Sequence, residues 1–317
     1  MCLLWSYVYA RTYSMEKFVG DLAVDRLRFF ADSGAHSART LGIDLKVDDY
    51  GAWLRENHEW FTIYANLDVI WAPEATWQNQ RRLEDHHGLH PMPVFHTGEP
   101  WSALHRYLDE GYTYVALGKL LGNPPKVLAP WLARCFELAE GRAVFHGFGL
   151  TQWAMLKRFP FYSVDSSSWG SGVRYGYLCL FHRGVWHKVW LRKRDDVLAK
   201  REVLDAYGLP YAAVSARSYD RDQVAGACAV STYRAAEWLR RHHGPIALPP
   251  GRGYPPPGTP TAGKVEPATE GGPGTYLAEG STVGHRRHAN GLHLYLADAS
   301  SKWTRSAATY IGQETSA

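Results

Sequence analysis

Cysteine is scarce in this chain: Cys2, Cys135, Cys179 and Cys228 are the only four in 317 residues, far apart and without a Cys-x-x-Cys pair. That spacing excludes the dense disulfide framework of small secreted domains and leads us to expect a reducing, cytoplasmic setting. Long apolar runs are missing too, since none nears the roughly 18 residues of a membrane helix. The start, Met1-Cys-Leu-Leu-Trp-Ser-Tyr-Val-Tyr-Ala-Arg11, lacks the basic stretch of a signal peptide and reads as a first buried strand. No membrane partner is expected. A Gly-x-Gly-x-x-Gly after the first strand and a Walker Gly-Lys-Ser/Thr are both lacking, which leaves a doubly wound nucleotide-binding sheet without support. Nor is there a large excess of one charge: 35 basic against 31 acidic residues, net +4, permits a polyanionic partner without arguing for one.

What is present is ample for one large core, with 45% hydrophobic and 14% aromatic residues. Apolar runs of strand length recur at 27–31, 61–69, 92–96, 113–118, 143–149 and 161–165. Segments with helical periodicity lie between them, at 50–57, 76–87, 101–111, 128–141 and 151–159. In the third of these, Trp101, Leu104 and Leu108 share a stripe and Gly111 supplies the stop. Strand, helix, strand in series predicts parallel pairing, and the N-terminal strand makes seven by Asp165. An eighth from 177–181 or 211–216 would complete a (β/α)8 TIM-like barrel, the expected fold.

Composition changes after residue 244. Residues 245–284, rich in Pro and Gly, have too few apolar side chains for a core and read as a linker or strap. Residues 285–317 form a basic tail with a possible strand at 292–296, too short to fold alone, that docks on the 1–244 barrel or stays loose.

Chemistry in such a fold belongs at the C-terminal ends of the strands. Asp32 with Ser33 and Gly34, Asp68, Thr97-Gly98, Gly118-Lys119, His146-Gly147 and Asp165 fall there in order. Three carboxylates around one mouth repel each other, so at least one holds its proton while another stays ionised.

Four of these segments resemble the tRNA-guanine transglycosylases. Asp32-Ser-Gly-Ala-His-Ser37 is similar to their Asp-Ser-Gly-Gly-Phe-Gln signature, and Tyr114-Val-Ala-Leu-Gly-Lys-Leu120 to their glycine-rich base pocket. His146-Gly-Phe-Gly149 resembles their Met-Gly-Val-Gly turn, and Ser163-Val-Asp165 stands where the nucleophilic aspartate belongs. The resemblance covers roughly residues 27–170. It implies base exchange at a glycosidic bond: Asp165 attacks C1′ of a guanine nucleotide, and a 7-deazaguanine displaces it. It further implies that Asp32 manages the proton on departing and arriving bases. Asp68 would accept from the guanine N1 and amino groups, and Gly118 would let the base approach the backbone. Ser33, Thr97, Gly98, Lys119, His146 and Gly147 would complete the base pocket, entered by a nucleotide flipped from its stack.

The Cys-x-Cys-x-x-Cys zinc sequence of that family is absent, so no metal and no cofactor are expected. The pairs His86-His87, His242-His243 and His285/His288 lack a matching carboxylate and are not read as metal ligands. Loss of the zinc subdomain and an altered pocket resemble the phage and bacterial branch that inserts 7-deazaguanine into DNA. DNA is therefore the expected polymer, with tRNA the alternative and a hydrolytic N-glycosidase or a non-catalytic nucleic-acid-binding barrel as rivals. Trp169, Arg174, Arg192 and Lys193 are the expected phosphate and stacking contacts.

Overall fold

The computed structural model describes residues 2–20, 28–167, 172, 175–215, 219–252 and 293–297. Its main sheet has eight strands: β1 (Cys2–Ser6), β2 (Arg28–Asp32), β3 (Phe61–Tyr64), β4 (Val94–His96), β5 (Tyr114–Gly118), β6 (Val144–Gly147), β7 (Ser163–Ser166) and, far along the chain, β10 (His293–Ala297). All its pairings are parallel, in the order β3-β2-β1-β10-β7-β6-β5-β4. The outer members β3 and β4 are joined just beyond and before their ends by a parallel bridge between Ala65 and Met92. There the Asn66 N–H donates to the Met92 carbonyl and the Met92 N–H to the Tyr64 carbonyl, both at 2.9 Å.

The seven predicted strands are present, shorter than the apolar runs that announced them. The first run divides, because Tyr7–Ala10 turns into helix α1 directly after β1. The eighth strand corrects the expectation. Residues 177–181 do form a strand, β8 (Tyr177–His182), but it pairs antiparallel with β9 (Val185–Trp190) as a separate hairpin. The Arg183-Gly184 turn explains this: both residues have positive φ, 49° and 83°, the two-residue turn whose twist suits an antiparallel pair. Tyr211–Ser215 is helical. The vacant position between β1 and β7 is filled instead by β10, from the segment read as a possible strand in the tail.

Helices follow the strands, among them Pro73–Asp85 after β3, Trp101–Asp109 after β4, Pro125–Ala139 after β5 and Trp153–Arg158 after β6. Gly111, at φ 80°, ends the Trp101 helix, with the Tyr112 N–H reaching back to the Tyr107 carbonyl at 3.0 Å. Alternation along each strand sends side chains to two faces. Phe95, Val115, Leu117 and Phe145 pack under these helices with Leu104, Leu128, Leu132 and Cys135. Tyr114 and Ala116 turn to the other face, which carries His96, Gly118, His146, Ser163 and Asp165 by the same period of two. Burial is continuous along β4 to β7, as a sheet covered on both sides requires. A 23-residue helix, Arg221–His243, capped by Asp220, packs on the β8–β9 hairpin, with Ser231 Oγ accepting the Phe181 N–H. Among the described residues no helix is long and apolar enough to cross a membrane.

Candidate functional site

Asp32 ends β2 and is followed by a chain reversal that only glycine fits. Gly34 has φ 76°, and a Cβ there would stand 2.2 Å from Ser6 Oγ and 2.8 Å from Val8 Cγ2. The turn directs the Gly34 N–H to Asp32 Oδ2 at 3.0 Å. Burial and then the negative charges of Asp68 and Asp165 push the Asp32 carboxyl up to about 8, against the backbone N–H groups of Gly34 and Ser33. At neutral pH it holds a proton.

Asp68 follows β3 and is ringed by donors. Ser33 Oγ donates to its Oδ1 at 3.4 Å, and His96 Nε2 lies 2.8 Å from its Oδ2. His96, at the end of β4, is gripped on its other side by Glu99, with Nδ1 2.9 Å from Oε1 and the backbone N–H 3.0 Å from Oε2. Gly98, at φ 91°, makes the turn that folds Glu99 back onto His96. Burial opposes a charged imidazole, but hydrogen bonds and charge from Asp68 and Glu99 prevail and raise His96 to about 9. A row of Asp68, the His96 imidazolium and Glu99 therefore stands at the strand ends, with His96 and Glu99 both buried. Gly118 also has a packing role that the sequence did not suggest. A Cβ there would lie 2.5 Å from His96 Cδ2 and 2.9 Å from Nε2, so the missing side chain makes room for the imidazole.

Asp165 is the third residue of β7. Its Oδ1 accepts the Gly149 N–H at 2.7 Å and lies 3.3 Å from His146 Nε2. His146 Nδ1 hydrogen-bonds Ser163 Oγ, which also bonds the Tyr114 hydroxyl, so a fully internal chain runs Tyr114, Ser163, His146, Asp165. The rings of Phe30 and Phe148 pack on the imidazole at 4.9 and 4.6 Å between centroids. Burial keeps His146 below the ordinary histidine range despite Asp165, so the imidazole is neutral. Gly147 is packed against Phe161 and Leu150.

Asp32 thus lies within electrostatic reach of both Asp68 and Asp165, with Ser33, His96, Gly118, His146 and Gly147 around these acids. Thr97 lies at the edge, its hydroxyl donating to the Lys119 carbonyl at 2.8 Å. The Lys119 ammonium lies over the Trp71 ring, 4.4 Å from its centroid. Arg192 and Lys193 are exposed beyond β9, where Lys193 faces Trp190; none of their described contacts involves the three carboxylates. Trp169 and Arg174 lie outside the described residues, as do His285 and His288. His96, Glu99 and Ser163 escaped the sequence reading as site residues. For Glu99 the available signal was its three-residue spacing from a strand-end histidine.

Histidine pairs also need revision. Asp48, His86 and His87 each offer a ligand atom within 4.8 Å of the others, so a matching carboxylate does exist for His86-His87. Asp48 is already engaged, by the Arg82 guanidinium at 2.8 and 3.2 Å and by His87 Nε2 at 2.9 Å.

In comparisons with known proteins, no protein-family profile and no curated protein matches the chain.

Proposed function

We propose that the protein exchanges guanine for a 7-deazaguanine base in nucleic acid, DNA in preference to tRNA, on a closed (β/α)8 barrel. The bridge between Ala65 and Met92 supports closure, because it links the two outer members of the eight-stranded order. The observation that carries the chemistry is the meeting of three acids, with the Asp32 carboxyl raised to about 8 beside Asp68 and Asp165.

In this reading an Asp165 oxygen attacks C1′ as the C1′–N9 bond breaks, and the bonding pair leaves with guanine. Asp32 delivers its proton to the departing base. The incoming 7-deazaguanine returns a proton to Asp32, attacks C1′ and expels Asp165, restoring both carboxyls. The Gly149 N–H holds the Asp165 carboxylate in one orientation, with His146 Nε2 3.3 Å away, which suits a nucleophile that must meet one carbon. Asp68 has lone pairs beyond those used by Ser33 and His96 for the donor edge of guanine. The likeness to the tRNA-guanine transglycosylases supports the same assignment through its aspartate motifs.

Product analysis tests it. Incubation of guanine-containing DNA and tRNA with the protein and a 7-deazaguanine, followed by nucleoside mass spectrometry, is expected to give the deazapurine nucleoside, foremost from DNA. Abasic sites would mean hydrolysis instead, and unchanged polymers would overturn the proposal.

A further inference from the structure

An exposed aromatic ring stands beside this site in a setting that nothing so far explains. Trp71 is 55% exposed, and its backbone is left-handed, at φ 66°. It is the third residue of a turn closed by the Ala72 N–H on the Val69 carbonyl at 2.9 Å, a place that ordinarily takes glycine. A bulky side chain there is sterically unfavourable, and such strain gathers where geometry serves a function. The turn is fixed from below: the buried Thr76 hydroxyl accepts from the Val69 N–H at 2.9 Å and lies 3.2 Å from its carbonyl.

Four non-glycine residues among those described have a left-handed backbone, and a second of them is Lys119. Its loop is pinned as well, the carbonyl accepting from Thr97 Oγ1 at 2.8 Å and Asn123 Nδ2 at 2.6 Å. The two strained residues meet: Lys119 Nζ lies 4.4 Å from the Trp71 ring centroid, and Arg39 Cζ lies 4.3 Å from it. Arg39 and Lys119 are exposed, and neither makes an ion pair with a described residue. Trp71 follows Asp68 by three residues, Lys119 follows Gly118 directly, and Arg39 belongs to the helix Ala35–Leu41 that follows Asp32. One ring and two cations without carboxylate partners among the described residues thus lie beside the strand ends.

Resting on the nucleic-acid reading above, we propose that Trp71, Arg39 and Lys119 form the seat for the single-stranded stretch next to the reacting nucleotide. A neighbouring base stacks on the indole, and the two cations take its phosphates. Charge and shape both favour that occupant: an anionic backbone for two exposed cations that have no carboxylate partner among the described residues, and a planar base for a flat ring held in place.

The test uses the full chain and a fluorescein-labelled single-stranded oligodeoxynucleotide, with affinity read by anisotropy over a range of salt. Trp71→Ala is expected to weaken binding roughly tenfold, as loss of one base–aromatic stack does, and Trp71→Phe to keep most of the affinity. Arg39→Gln and Lys119→Gln are each expected to lower the slope of log Kd against log salt by about 0.7. Circular dichroism confirms that each variant is folded. No binding by the unaltered protein, or unchanged affinity and slope in the variants, overturns the proposal. If base exchange fails while Trp71→Ala still weakens binding, the exchange reading falls and the seat stands. If exchange proceeds and Trp71→Ala binds as the parent does, the seat alone falls.

Discussion

Alanine at position 118 is the substitution that most sharply separates two accounts of one glycine. Gly118 does not have a left-handed backbone, so replacing it with alanine in a strand would ordinarily stabilise the protein by about 0.5–1 kcal/mol through the unfolded chain. Here the new methyl would stand 2.5 Å from His96 Cδ2, so the ring must move or turn. Movement breaks the 2.8 Å contact with Asp68 and strains the 2.9 Å contact with Glu99. Disrupting a buried charged pair costs about 3–5 kcal/mol, so the net loss at neutral pH should be about 2–4 kcal/mol, read from urea denaturation. The sign with pH follows from His96. Its folded value of about 9 exceeds its ordinary 6.5, so its contribution is full below 6.5 and is lost as pH rises through 9. The gap between parent and Gly118→Ala should therefore narrow above pH 9. In a His96→Ala background the ring is gone, and Gly118→Ala should cost nothing further. A Gly118→Ala protein as stable as its parent at pH 7, or equal losses with and without His96, would refute this reasoning.

Two further outcomes follow from the same residues. Asp32→Asn should stabilise the protein as pH rises: the carboxyl goes from 3.8 to about 8 on folding, so wild-type stability falls between those values while the amide stays neutral. The advantage should be small at pH 4 and reach roughly 5 kcal/mol at pH 8 in denaturant titrations, with exchange activity lost; a pH-independent difference would contradict the assignment. Gly34→Ala should destabilise by at least about 2 kcal/mol, because its Cβ meets Ser6 and Val8 and its φ is 76°; a change in melting temperature below 2–3 °C would count against that packing.

Much of the site was legible because strands buried on both faces advertise themselves as short apolar runs, and each here stops at a polar residue or glycine. Asp32, Asp68, His146 and Asp165 were found that way. The eighth strand was not, since β10 is parted from β7 by about 125 residues that include the Pro/Gly-rich stretch, while Tyr177–His182 has the local composition of a strand and gives it to a hairpin. Composition carries no record of pairing partner. The role of Gly118 was equally hidden: the motif marks a glycine, but only the placed His96 ring shows what fills the space. Trp71 and Arg39 carried no signal of their own, because a left-handed tryptophan cannot be recognised before the chain is folded.

The most direct measurement is a search for the covalent intermediate. The full chain is mixed with guanine-containing oligonucleotide and denatured, and its peptides are mapped by mass spectrometry. The account predicts a pentosyl adduct on Asp165 that disappears when 7-deazaguanine is added and never forms in Asp165→Asn. An adduct on any other side chain, or exchange that continues in Asp165→Asn, would contradict it.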